Sequence, residues 1–151
     1  PGVGAAADAM ERLRRRGLDR CIKELTQPVL GICLGMQLMF ESSEEGPTDC
    51  LGLIPGRVAR LSPRGLPVPH MGWNQVVCER PAPLFDGIAS GEFFYFVHSY
   101  RAERGPWTTA TCDYGEPVVA AVAHLNFFGV QFHPERSSKA GARLLRNFLA
   151  L

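Results

Sequence analysis

Residues 28–40, Pro-Val-Leu-Gly-Ile-Cys-Leu-Gly-Met-Gln-Leu-Met-Phe, limit the folds open to this chain more than any other stretch. The run 28–33 is continuously apolar after a proline, the pattern of a strand covered on both faces. At Leu34 the spacing changes. Leu34, Leu38 and Met39, with Phe40 alongside, recur at helical period, so a helix is expected over 34–42. A strand that passes at once into a helix is a building unit of α/β folds.

The flanking sequence extends that reading. Residues 5–15 have helical character with Gly17 as a stop, and 18–26 could form a second short helix. From 51 to about 132 the chain turns to short runs rich in β-branched and aromatic residues, broken by Gly, Pro and Asn. These are "LGLIPGRVARL", "NQVVC", "EFFYFVHSY", "TTATCDYG", "VVAAVAHL" and "FFGVQFH", with a hairpin corner expected around Asn126. Residues 137–151 place Ala140, Leu144, Leu145 and Phe148 on one face. They read as an amphipathic helix with Ser137 or Ser138 as its N-cap. The expected class is α/β, a mixed sheet flanked by helices.

Composition excludes several functions. The 151 residues carry a formal net charge of +1, and the densest basic cluster, "RLRRR" at 12–16, reads as the solvated face of a helix. It lacks the aromatic interleaving and groove-reading motifs of a nucleic-acid binder. Cysteines at 21, 33, 50, 78 and 112 are odd in number and form no CxxC pair, against both a disulfide framework and a zinc cluster. The histidines at 70, 98, 124 and 133 lack metal-ligand spacing. With no signal peptide and no apolar run near 18 residues, a soluble cytoplasmic chain is expected.

Cys33 stands apart from the other cysteines because of its position. At a tight strand-to-helix turn a side chain is pushed out at the carboxyl edge of a sheet. There the helix N-terminus favours a thiolate, and the next backbone N–H, that of Leu34, faces a developing oxyanion. Gly31 and Gly35 flank it, giving a G-x-nucleophile-x-G pattern with cysteine as nucleophile. A buried structural cysteine is the alternative. A second stretch, "GVQFHPE" at 129–135, sets His133 at a strand end before Pro134, with Glu135 two residues on. Proline holds the preceding residue extended. The carboxylate can then accept one imidazole N–H and leave the other nitrogen to act as a base. Alone this could be an ordinary surface His–Glu pair; with the cysteine elbow it makes a Cys33–His133–Glu135 triad.

"PGVG", "GICLGMQ" and "GVQFHPE" together resemble the three signatures of the class I (triad) glutamine amidotransferases, over the whole chain. "PHMGWN" (69–74) and "YFVHSYRA" (95–102) resemble, more narrowly, the branch that serves imidazole glycerol phosphate synthesis rather than anthranilate, GMP or CTP synthesis. The resemblance implies that Cys33 attacks the glutamine amide, His133 transfers protons and Glu135 orients His133. It implies oxyanion donors from Leu34 and the Gly2–Val3 segment, and substrate contacts from Gln37, Glu45, Ser99 and Tyr100. No metal or organic cofactor is implied. The implied partner is a separate (β/α)8-barrel cyclase, in a heterodimer, and Met71, Trp73, Asn74, Tyr95 and Arg136 match its expected interface. His70, His98 and His124 are expected to be structural, and little activity is expected without the partner. The family's domain also carries a strand–helix–strand region ahead of "PGVG". The expectation is therefore a single amidotransferase domain over 1–151, truncated at its N-terminus, poorly stable and catalytically weak. A free-standing thiol hydrolase and a non-catalytic binding subunit are the readings from other classes.

Overall fold

Apolar periodicity becomes paired strands and packed helices in the expected order. The computed structural model describes residue 2 and residues 4–151. In chain order the elements are α1 (Ala6–Arg15), α2 (Leu18–Glu24), β1 (Val29–Ile32), α3 (Leu34–Gln37), β2 (Ser42–Ser43), β3 (Thr48–Asp49), β4 (Arg57–Arg60) and β5 (His70–Cys78). They continue with β6 (Glu92–His98), β7 (Tyr100–Ala102), β8 (Thr108–Asp113), β9 (Pro117–His124), β10 (Phe127–Val130) and α4 (Ser138–Leu149). Among the described residues the larger sheet has the order β1-β10-β9-β8-β5-β6, and a smaller one the order β3-β2-β4-β7. β1 runs parallel to β10, while the other pairs of the larger sheet are antiparallel. The sheet is therefore mixed, as expected.

Side chains of β9 feed two apolar clusters. Val118 and Ala120 join Phe94, Phe96, Phe132 and Leu144 of α4, whereas Val119 and Val122 join Met36, Met39, Phe40 and Val58. β9 is thus the strand covered on both faces; in β1 only Gly31 and Ile32 are buried, and Val29 and Leu30 are half-buried. The β9–β10 hairpin turns at Leu125 and Asn126, with Leu125 at φ +53°. The Asn126 side-chain amide donates to the carbonyls of Leu25 and Gln27, fastening the approach to β1.

Three expectations need correction. The helix after Cys33 is a single turn, Leu34–Gln37, and does not run to residue 42. The carbonyls of Leu38, Met39 and Phe40 instead accept from the N–H groups of residues 51–54. Those donors cap the turn from outside, which is why "LGLIP" is loop and β4 begins only at Arg57. Lastly, Ser137 precedes α4 but makes no side-chain cap. Its hydroxyl donates to the His133 carbonyl at 2.6 Å and accepts from the Tyr95 N–H at 2.9 Å.

The elbow itself depends on glycine. Cys33 has φ +53° and ψ −111°, a sparsely populated conformation for a side-chain-bearing residue. A Cβ on Gly31 would lie 2.6 Å from the Gly35 carbonyl oxygen and 2.7 Å from the Met36 nitrogen. β1 and α3 can approach this closely only without that atom.

β5 pairs with β6 so that His70 stands opposite His98. Their rings share a hydrogen bond, His70 Nδ1 to His98 Nε2 at 2.9 Å, and His98 Nδ1 reaches the Tyr100 carbonyl at 2.8 Å. A carbonyl only accepts, so His98 carries its proton on Nδ1 and accepts on Nε2, and His70 donates from Nδ1. Asn74 Nδ2 completes the chain, 3.3 Å from His70 Nε2 and 2.8 Å from the Asp113 carbonyl that it donates to. Burial pushes His70 down to about 4 and His98 to about 3, so both rings are neutral.

Two outcomes follow. Gly31→Ala should lose about 1–3 kcal/mol or more, since its methyl meets backbone that cannot move aside, and urea denaturation measures the loss. The histidine pair should make stability fall on acidification. Between the ordinary histidine value of 6.5 and the depressed folded values, the unfolded chain binds protons that the folded chain does not. The pair contributes a slope of at most about 2.7 kcal/mol per pH unit, two protons' worth. Denaturation measured from pH 7 to pH 4 gives that slope, and a flat profile contradicts a neutral buried pair.

Candidate active site

The strand ends that the sequence marks converge on one cleft of about 250 Å³. Cys33 enters from the end of β1, His133 from just beyond β10, and Ser99 and Tyr100 from the β6–β7 junction. Leu34 and Gln37 come from α3, Glu45 from the loop between β2 and β3, and Gly2 and Gly4 from the segment ahead of α1. The space suits an amino-acid-sized occupant better than a folded peptide segment. A larger groove of about 930 Å³ lies elsewhere, against Cys78, Phe85 and Asn147; its lining includes no histidine.

His133 is buried, and its Nδ1 lies 2.7 Å from Glu135 Oε1. The 3₁₀ turn Pro134–Arg136 brings that carboxylate back beside the ring. The acceptor fixes the proton on Nδ1 and leaves Nε2 free. Among the described residues Nε2 is buried and has no hydrogen-bond partner. The backbone of His133 is held by β6, whose Tyr95 carbonyl accepts its N–H at 2.9 Å.

The Cys33 sulfur does not bond to His133. Its contacts are the Val97 carbonyl at 3.8 Å and the Gln131 side-chain amide at 3.7 Å, and the Leu34 backbone N–H also reaches it. Burial pushes the thiol above its ordinary value of 9.0, and the Leu34 N–H opposes it. The carboxylates of Glu135 and Glu45 add to the rise, while the Gln131 amide lowers it. The Leu34 N–H at the helix start does favour the thiolate, but the net balance runs against it. A one-turn helix carries little dipole, and desolvation outweighs it. Burial raises Cys50 to about 11 and Cys112 to about 12, both outside the cleft, and Cys21 is exposed.

The other residues named from the sequence divide into groups. Gln37 is buried and donates from Nε2 to both the Tyr100 carbonyl at 2.9 Å and Gln131 Oε1 at 2.8 Å. Both of its N–H groups are engaged, so only its oxygen remains for a ligand. Glu45 faces the cleft and accepts from the Ala6 N–H at 3.0 Å, at the start of α1. Ser99 lines the cleft; Tyr100 contributes its carbonyl, while its ring packs in the second apolar cluster. Gly2 pairs with Cys33 in a parallel bridge, and Val3 lies outside the described residues.

Met71 and Trp73 stand on the outer face of β5, 61% and 52% exposed. They lie in register with Val97 and Tyr95 of β6. The Trp73 and Tyr95 rings meet edge to face at 6.1 Å, and Arg136 sits over Tyr95 at 5.0 Å. Asn74 is turned to the other face and belongs to the histidine chain. Reading by sequence missed Gln131. The available signal was its place two residues before His133 in the run 129–135.

Among the described residues no group of His, Cys, Asp and Glu could hold a metal ion, and no helix is long and apolar enough to cross a membrane. The chain is 57% identical over 152 residues to the imidazole glycerol phosphate synthase subunit HisH of Escherichia coli K12, covering 100% of this chain and 78% of that protein. Identity and coverage are the same for the HisH subunit of Salmonella typhimurium. The fold is similar to a crystal structure of a glutamine amidotransferase, with a TM-score of 0.69 at 19% identity, over 97% of this chain and 74% of that one. The profile of the glutamine amidotransferase class-I family matches residues 1–151, and with it the chain belongs to that family.

Proposed function

We propose that this chain is the glutaminase subunit of an imidazole glycerol phosphate synthase. It hydrolyses glutamine to glutamate and ammonia through Cys33, His133 and Glu135. One observation carries the reading: a buried cysteine and a carboxylate-paired histidine with a free Nε2 share one amino-acid-sized cleft. The 57% identity to subunits of that synthase selects the pathway.

In this mechanism the thiol turns from Val97 toward His133 Nε2 and gives up its proton. The sulfur attacks the glutamine amide carbon, and the oxyanion is met by the N–H groups of Leu34 and the Gly2–Val3 segment. His133 then protonates the leaving nitrogen, and ammonia departs from a glutamyl thioester. His133 next takes a proton from water, which attacks the thioester and releases glutamate and the thiol. Glu135 holds the ring and stabilises its charged form. Glu45 and the Gln37 oxygen provide acceptors for the substrate's ammonium group, and Ser99 adds a contact.

The ammonia goes to a cyclase subunit of (β/α)8-barrel form, bound as a heterodimer in the cytoplasm, which makes imidazole glycerol phosphate and an aminoimidazole carboxamide ribotide. Met71, Trp73, Tyr95 and Arg136 form an exposed apolar and cationic face of the kind that anchors partners. β6 also ties that face to the chemistry. Its Tyr95 carbonyl holds the His133 N–H, and its Val97 carbonyl faces the Cys33 sulfur. A partner seated on this strand can therefore bias whether the thiol faces Val97 or His133.

Cys33→Ala should abolish glutamine hydrolysis and leave ammonia-dependent synthesis by the cyclase complex intact, because free ammonia bypasses the thiol. Glutamate release by that variant at near wild-type rate would refute the triad. The isolated chain should hydrolyse glutamine slowly, and the cyclase with its nucleotide ligand should raise the rate by orders of magnitude. Equal rates with and without the liganded cyclase contradict the coupling through β6.

A further inference from the structure

Gln131 is completely buried and sits between Cys33 and Gln37. A buried amide is costly unless both its ends are bonded, and an apolar side chain of similar length fills the same space without that demand. Both ends here are bonded. Oε1 accepts from Gln37 Nε2 at 2.8 Å, and Nε2 points to the Cys33 sulfur at 3.7 Å, longer than a bond to oxygen because sulfur is larger. The amide direction is not arbitrary. The Tyr100 carbonyl can only accept, so Gln37 must face it with nitrogen; Gln37's second N–H then requires oxygen from Gln131, and the Gln131 nitrogen is left toward the sulfur.

We propose that Gln131 is a positioning residue for the nucleophile: its amide N–H, aimed through Gln37 by the Tyr100 carbonyl, holds the Cys33 sulfur and favours its charged form. This rests on the reading of Cys33 as the nucleophile. The groups that face the sulfur give the amide a purpose. Glu135 and Glu45 both disfavour a thiolate, as does burial, while His133 offers no bond to it in this state. Among the described residues only the Leu34 N–H and the Gln131 amide act the other way. His98, on the adjoining strand end, stays neutral and adds no charge.

The test is the pH profile of Cys33 alkylation by iodoacetamide, read by peptide mass spectrometry in the wild-type chain and in Gln131→Met. Exposed Cys21 serves as an internal reference. Gln131→Met should slow Cys33 alkylation about fivefold at pH 8, the effect of one net hydrogen bond, and move its profile to higher pH. Cys21 should be unaffected. An unmoved Cys33 profile in the folded variant overturns the proposal, since a purely structural role changes stability alone. Should Gln131→Met not fold, the side-chain amide resonance of Gln131 in the wild-type chain decides. It should shift over the pH range of Cys33 alkylation and lose that shift in Cys33→Ala; an amide indifferent to pH overturns the proposal. Neither measurement uses glutamine turnover. Glutaminase activity in Cys33→Ala rejects the proposed function, whereas an inactive Cys33→Ala with an unmoved alkylation profile in Gln131→Met rejects this inference alone.

Discussion

The backbone at Cys33 is the constraint on which the rest depends. A residue at φ +53° and ψ −111° is held only when its surroundings leave no alternative. On one side its N–H is fixed to the Val130 carbonyl, and on the other its own carbonyl accepts from Met36 and Gln37. Gly31 lets the strand and the following turn close on each other. Residues 51–54 finish that turn from outside, so β1, α3 and a distant loop are all recruited to one peptide geometry. The product is a thiol placed at the end of the sheet, with the next N–H beside it.

Polar order inside the sheet has a second origin, the Tyr100 carbonyl. It accepts from His98 Nδ1 and from Gln37 Nε2 at once. From that single acceptor the proton positions of His98 and His70 follow along one branch, and the amide directions of Gln37 and Gln131 along the other. The histidines and the asparagine of "PHMGWN" and "HSY" thus form the inner, neutral side of strands whose outer side carries Met71, Trp73 and Tyr95.

Much of this was legible in the chain. Alternation and apolar runs located the strands, and the G-x-C-x-G and H-P-E patterns identified residues that share a cleft. What could not be read involved partners far apart in sequence. The short α3 depends on N–H groups 12 to 15 residues later, which no local propensity encodes. Ser137 looks like a cap, yet its hydroxyl finds better partners at His133 and Tyr95. Asn74 and Trp73 are neighbours, and only the pleat sends them to opposite faces. The thiol's environment was misjudged because burial, which depends on the whole fold, outweighs one turn of helix. Gln131 lies just past β10, and its bonds to Cys33 and Gln37 reach across 98 and 94 residues of chain.

Glu45 has a consequence of its own. The same carboxylate that borders the cleft accepts the first N–H of α1, across 39 residues of chain. α1 follows directly on the segment in which Gly2 pairs with Cys33. A carboxylate has acceptor sites to spare, so it can hold the helix start and still present a lone pair to the cleft. One side chain thus serves as both a wall of the cleft and an anchor of α1, so a change at Glu45 reaches the two together.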